Sequence, residues 1–166
     1  MNYFELLDIP QKYDFELQIL EQKYFALLSK FHPDRAKSAD EKTNFLSSSM
    51  EINNAYKTLK DELGRAKHLL LINGIDIDDA NIKNKFPAQY LAKIWQDFEF
   101  IDDSDNLQEL QNFRDQKMTE KQYIVKELIE AFSEKITSAA TLSALMLRYT
   151  LNIIENVNLK IKNVAN

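Results

Sequence analysis

Residues 17–59 read LQILEQKYFALLSKFHPDRAKSADEKTNFLSSSMEINNAYKTL. Leu17, Leu20, Tyr24, Leu27, Leu28 and Phe31 recur at helical spacing, which predicts an amphipathic helix opened by Asp14 as its N-cap. Pro33 stops that helix, because the residue before a proline is pushed out of helical dihedrals. Ser38-Ala39-Asp40-Glu41 is a capping-box pattern and opens a second long helix, whose inner face is Phe45, Ser49, Ile52, Tyr56 and Leu59. The stretch is therefore two amphipathic helices joined by a short loop, His32-Pro33-Asp34.

Upstream, the apolar run Tyr3–Ile9 ends at Pro10. Downstream, Lys60–Gly64 is a soft break. A helical segment from Arg65 to Ile72 is then stopped by Asn73-Gly74, a C-terminal signal. Residues 75–87 (IDIDDANIKNKFP) lack sustained periodicity and read as a connector. A helix over residues 88–100, an acidic turn Asp102-Asp103-Ser104-Asp105, and a long helix over residues 107–136 follow. A last helix carries Leu142, Leu145, Met146, Tyr149, Ile153 and Val157. The predicted fold is all-α: a small helical bundle over residues 1–74, a connector over 75–87, and a three-helix bundle over 88–166.

Composition supports this. Only 2 Gly and 3 Pro punctuate 166 residues, and 18 aromatics (10 Phe, 7 Tyr, 1 Trp) supply core volume. There is no cysteine, hence no disulfide framework, thiolate metal site or thiol nucleophile. A net charge of −5 argues against a nucleic-acid partner. No apolar run approaches the ~20 residues of a membrane span. The start Met1-Asn2-Tyr3-Phe4-Glu5 lacks the pattern of a secretion signal, so a cytoplasmic protein with no membrane contact is expected. The two histidines, His32 and His68, lie in different elements without neighbouring ligands, so no metal and no cofactor is expected. No nucleophile–base pair or glycine-rich phosphate loop is present, so no catalytic residue is assigned and the chain does not read as an enzyme.

Residues 22–37 carry Lys23, Lys30, Arg35 and Lys37 against a single acid, Asp34, a net +3 inside an acidic chain. Such a patch is a docking surface for an acidic partner, with a solvated face as the plain alternative. His32-Pro33-Asp34 alone also reads as a helix stop.

Several pieces together carry a resemblance: the opening Tyr3-Phe4, the helix end Leu27-Leu28-Ser29-Lys30-Phe31, the loop His32-Pro33-Asp34, and Asn53-Asn54-Ala55-Tyr56-Lys57-Thr58-Leu59. Residues 3–74 resemble a J-domain. Ala55–Lys60, Arg65-Ala66, Leu69-Leu70 and Gly74-Ile75-Asp76 narrow it to the HscB family of iron–sulfur assembly co-chaperones. The acidic helical second half, without a Gly/Phe-rich linker or cysteine repeats, is similar to that family too.

The resemblance implies a co-chaperone with two partners. A DnaK-class chaperone of the HscA type would engage His32, Pro33 and Asp34, with Lys23, Lys30 and Arg35 steering the encounter. An IscU-type scaffold would dock on the first and last helices of the second bundle, at Leu91, Ala92, Trp95, Glu99 and Tyr149. Here Ala92, Lys93 and Trp95 replace more usual Met, acidic and Leu residues. Leu91 and Trp95 are four apart on one helical face, which suits bundle core as well as a docking anchor. A general J-domain co-chaperone serving other clients is the second reading.

Overall fold

The computed structural model describes residues 1–83 and 86–165, and the side chain of Lys83 is left aside. Among the described residues the chain is helical, with no strand. Its elements are α1 (Tyr3–Leu6), α2 (Leu17–Lys30), a 3-10 turn (Pro33–Arg35), α3 (Ala39–Lys60), α4 (Glu62–Ile72), α5 (Ala80–Lys83), α6 (Ala88–Asp103), α7 (Leu107–Ser133) and α8 (Thr137–Val164). The chain divides into two compact units, residues 1–74 and 75–166. No described helix is long and apolar enough to cross a membrane.

In the first unit the antiparallel pair α2/α3 forms as the apolar spacing predicts. Leu20, Ile52, Ala55 and Leu59 are fully buried, with Phe4 and Leu7 from the α1 region. Tyr24 stacks on Tyr56 with centroids 4.0 Å apart, and the Tyr24 hydroxyl donates to Asn53 Oδ1 at 2.8 Å. Helix α2 starts later than expected. Glu16, not Asp14, is the capping residue, and it makes no side-chain cap bond. Leu17 then sits in the first turn and is 44% exposed, rather than on the inner face. Asp61 ends α3 and caps α4, its carboxylate accepting from the Gly64 amide at 2.6 Å. A Cβ at Gly64 would sit 2.7 Å from the Thr58 carbonyl oxygen, so only glycine allows this tight joint. Gly74, at φ +79°, stops the last helix of the unit in the left-handed region that glycine favours.

Two buried polar side chains lock this unit. Arg65 is 7% exposed, and it donates to the backbone oxygens of Leu59, Tyr13 and Lys60 while lying over the Phe15 ring. His68 stacks on Tyr3, and its Nε2 accepts the Tyr3 amide at 3.0 Å. That bond requires a neutral ring. Burial, and then the positive chain terminus, lower the His68 pKa from its ordinary 6.5. The unfolded chain therefore takes up this proton first. Stability is complete above pH 6.5 and declines as pH falls from there toward the lowered folded-state value. Thermal melts at pH 7.5 and 5.5 should show the transition of the first unit moving down in acid. In His68→Gln that part of the pH dependence disappears.

In the second unit, α6, α7 and α8 form the three-helix bundle. Ile101, Leu110, Ile153 and Val157 make a core cluster, extended by Ile94, Phe98, Phe100 and Phe113. Helix α6 runs on past residue 100 to Asp103, so Asp102 and Asp103 of the expected acidic turn are its last residues. Two further features depart from expectation. The stretch 75–87, read as a connector, belongs to this unit. Ile77 and Phe86 are 1% and 5% exposed, α5 forms within it, and Arg148 of α8 donates to the Ile77 oxygen and to Asp78. Asn84 and Lys85, within that stretch, and Asn166, the expected end of the bundle, lie outside the described residues.

The second departure is at the end of α7, which stops at Ser133 rather than near Ile136. Lys135 adopts φ +59°, and the amides of Lys135 and Ile136 bond back to Phe132 and Ala131. This is a glycine-free Schellman stop.

Candidate functional site

Two surfaces stand out, one in each unit. The first is the turn between α2 and α3. Phe31 closes α2 through its amide to the Leu27 oxygen, and its own oxygen accepts from Ser49 Oγ of α3 at 3.0 Å. Its ring meets Phe45 edge-on, with centroids 5.6 Å apart. Arg35 Nη1 donates back to the Ser29 oxygen at 2.8 Å. On the far side, Ser38 Oγ accepts the Glu41 amide at 3.1 Å, and Glu41 accepts the Lys37 amide at 2.6 Å. The loop is therefore tied down at both ends while its tip is open. The side chains of His32 and Asp34 are 57% and 84% exposed. Pro33 fixes the first position of the 3-10 turn. His32 Nδ1 accepts the Asp34 amide at 3.3 Å, so in the neutral ring the proton is on Nε2, which is left to donate outward. The tip thus presents a braced imidazole donor and, beside it, a solvent-exposed carboxylate whose Oδ2 lies 3.7 Å from His32 Nδ1.

The basic residues around it behave unequally. Lys23 pairs with Asp8, whose carboxyl is held below its ordinary range by that hydrogen bond and charge. Arg35 holds the loop to α2. Lys30 is exposed and lies over the Phe31 ring at 5.3 Å. Two residues here escaped the sequence reading. Phe25 is 63% exposed beside Tyr24, and Ile19 is 41% exposed. Ile19, Lys23, Ala26 and Lys30 run along one outer face of α2, with Phe25 at its edge. The signal was present: Phe25 lies off the apolar stripe of its own helix.

The second surface is on α6. Leu91, Trp95 and Glu99 fall at successive turns, with Ala92 beside them, and all four are exposed. Trp95 is 70% and Leu91 37% exposed, so Trp95 is not core. Tyr149 of α8 is half-buried. Its ring lies 5.1 Å from Phe86, which in turn is 5.6 Å from Tyr90 in the first turn of α6. Phe86 was not anticipated, because nothing local distinguishes it within residues 75–87. Beyond Glu99 the acidic end of α6 is partly neutralised. Lys160 donates to the Asp102 oxygen at 2.9 Å and pairs with Asp105 at 3.2 Å.

His32 and His68 occupy separate places, the loop tip and the α4 core. Among the described residues no group of three His, Asp or Glu side chains is placed to hold a metal.

Comparison with known proteins agrees with this geometry. The DnaJ domain family matches residues 2–68. The chain is 33% identical over 141 residues to the co-chaperone protein HscB of Buchnera aphidicola, covering 82% of this chain and 76% of that one. It is 31% identical over 166 residues to HscB of Proteus mirabilis, covering 95% and 94%. Its fold superposes on the crystal structure of human co-chaperone protein HscB with a TM-score of 0.89 at 25% identity, over 96% of this chain and 82% of that one. Sequence likeness along most of both chains and the shared two-unit helical fold lead to one conclusion: this chain belongs to the HscB family of J-domain co-chaperones.

Proposed function

We propose that the protein stimulates ATP hydrolysis by a DnaK-class chaperone of the HscA type. In this reading it also delivers to that chaperone an IscU-type scaffold on which iron–sulfur clusters are built. The observation that carries the first half is the loop tip. His32 and Asp34 are exposed on a turn that Ser49, Arg35 and Pro33 hold rigid. A group held ready in its bound geometry gains affinity by avoiding ordering costs. The second half rests on the solvent-facing stripe Leu91, Ala92, Trp95 and Glu99, with Tyr149 nearby on α8. An exposed Trp flanked by apolar and acidic groups has the character of an interface anchor. The chain supplies no catalytic group in this scheme, because the hydrolytic site lies in the chaperone.

The test is single-turnover ATP hydrolysis by the chaperone, measured alone, with this protein, with the scaffold, and with both. The reading requires stimulation by this protein and a further rise when the scaffold is added. A chaperone that responds to this protein but not to the scaffold would favour a general J-domain co-chaperone with other clients.

The electrostatics refine the steering idea. Because Lys23 is paired with the Asp8 carboxylate, Lys30 and Arg35, whose guanidinium keeps its charge on a neutral backbone oxygen, carry the larger share of the attraction. Charge reversal at Lys30 should slow association with the chaperone several-fold at low salt, with little change in dissociation. Lys23→Glu should do less. Raising ionic strength toward 0.15 M, where screening falls to ~8 Å, should erase most of the difference in stopped-flow association rates.

A further inference from the structure

Lys117 of α7 is 2% exposed and sits inside the second unit among charged partners. Its Nζ bonds Asp97 of α6, whose side chain is 12% exposed, and Glu120 Oε2 at 3.1 Å. The other oxygen of Glu120 accepts from Lys93 of α6 at 3.3 Å. Lys117 also lies 5.2 Å from the centre of the Phe113 ring. The result is a ladder of alternating sign, Lys93–Glu120–Lys117–Asp97, with two rungs on α6 one turn apart and two on α7.

Apolar packing holds α6 through Ile94, Phe98, Phe100 and Ile101. Such packing is non-directional and tolerates small rotations and slides. Charge-assisted bonds to two rungs do not, because each fixes a distance and an angle. Lys93 and Asp97 point away from the stripe Leu91, Trp95, Glu99 on the helical wheel. Gripping one side therefore sets what the other presents. A buried ion pair is weak evidence of stability, since apolar replacements of the same volume often fold as well, but it selects one arrangement among near-equals.

We propose that Asp97 and Lys117 are positioning residues: their buried ladder sets the rotation and register of α6, and so holds Leu91, Ala92 and Trp95 in place to meet a protein partner. The consequence for partner binding rests on the scaffold reading above; the consequence for α6 itself does not.

The experiment uses the full chain. Asp97→Leu with Lys117→Met replaces the pair by apolar groups of similar shape, and Asp97→Asn removes one charge at constant shape. Each is followed by thermal melting, by hydrogen exchange resolved along the chain, and by titration with the scaffold. The expected result for the double variant is a melting temperature within ~3 °C of wild type, whereas Asp97→Asn, which leaves the buried Lys117 charge to Glu120 alone, melts lower; in both, protection in α7 and α8 is retained and α6 amides exchange about tenfold faster. Scaffold affinity falls about fivefold although Leu91 and Trp95 are intact. Unchanged exchange in α6 in either folded variant overturns the proposal. So does protection lost evenly across α6, α7 and α8, which would make the pair a general bundle clamp. If the double variant does not fold, Asp97→Asn decides the question. If the wild-type chain does not bind the scaffold, the functional reading fails, and the exchange pattern still decides whether the ladder positions α6.

Discussion

His32→Gln is expected to abolish stimulation of the chaperone's ATPase while leaving the protein folded. The ring is 57% exposed and contacts the Asp34 amide and carboxylate of its own turn, so removing it costs little stability, within about 0.5 kcal/mol. Its melting curve should overlay the wild type's. Function should not survive, because the glutamine amide is flexible where the imidazole is braced by the Asp34 amide and the proline turn. A donor that must be immobilised on binding loses the advantage of being fixed beforehand. In single-turnover hydrolysis the variant should return the chaperone to its basal rate. A folded His32→Gln protein that stimulates normally would remove the loop from the mechanism.

Replacing both Leu91 and Trp95 by alanine should separate the two activities. Trp95 is 70% exposed and Leu91 37%, so neither substitution opens a cavity, and alanine is the best helix former. The bundle should keep its helical signal and melting temperature. Each lost anchor at an interface centre costs ~2 kcal/mol, and even half that sum is more than a tenfold loss of scaffold affinity. Basal stimulation of the chaperone through His32, Pro33 and Asp34 should persist, and only the additional stimulation by scaffold should vanish. Calorimetric titration measures the first effect and the coupled ATPase assay the second. Wild-type affinity in the double variant would move the scaffold site off α6.

What the sequence disclosed and what it concealed divide along a physical line. Local signals were legible: Pro33 ending α2, Ser38 and Glu41 opening α3, Gly74 ending α4, and the His32-Pro33-Asp34 tip between them. Each depends on residues within a few positions. Burial that depends on distant partners was not legible. Ile77 and Phe86 look like linker residues until Arg148 and Tyr149, more than 60 positions away, are brought beside them. The end of α7 was misplaced because the left-handed position that glycine usually fills is taken by Lys135. Lys117 is buried on α7 with Leu110, Ile124 and Leu128, and no sequence periodicity reveals that Asp97 and Glu120 wait there for its charge. At the site the exposure of Trp95 was undecided between core and anchor. Nor was the pairing of Lys23 with Asp8 legible, because it closes a gap of 15 residues that no spacing rule announces.

The grip of Arg148 on residues 77 and 78 bears on how such a protein is taken apart and recombined. A gene fragment meant to express the second unit cannot open at Ala88, where the first long helix begins. It would omit the segment that Arg148 holds and the ring on which Tyr149 rests. The natural seam is the glycine at position 74. A chimera that exchanges one J-domain for another has to join there, inside what reads as an ordinary helix ending, and keep everything after it as part of the second unit. Lineages that reshuffle J-domains face the same constraint, since a crossover at Ala88 would leave the first unit whole but join the second to a foreign 75–87 segment.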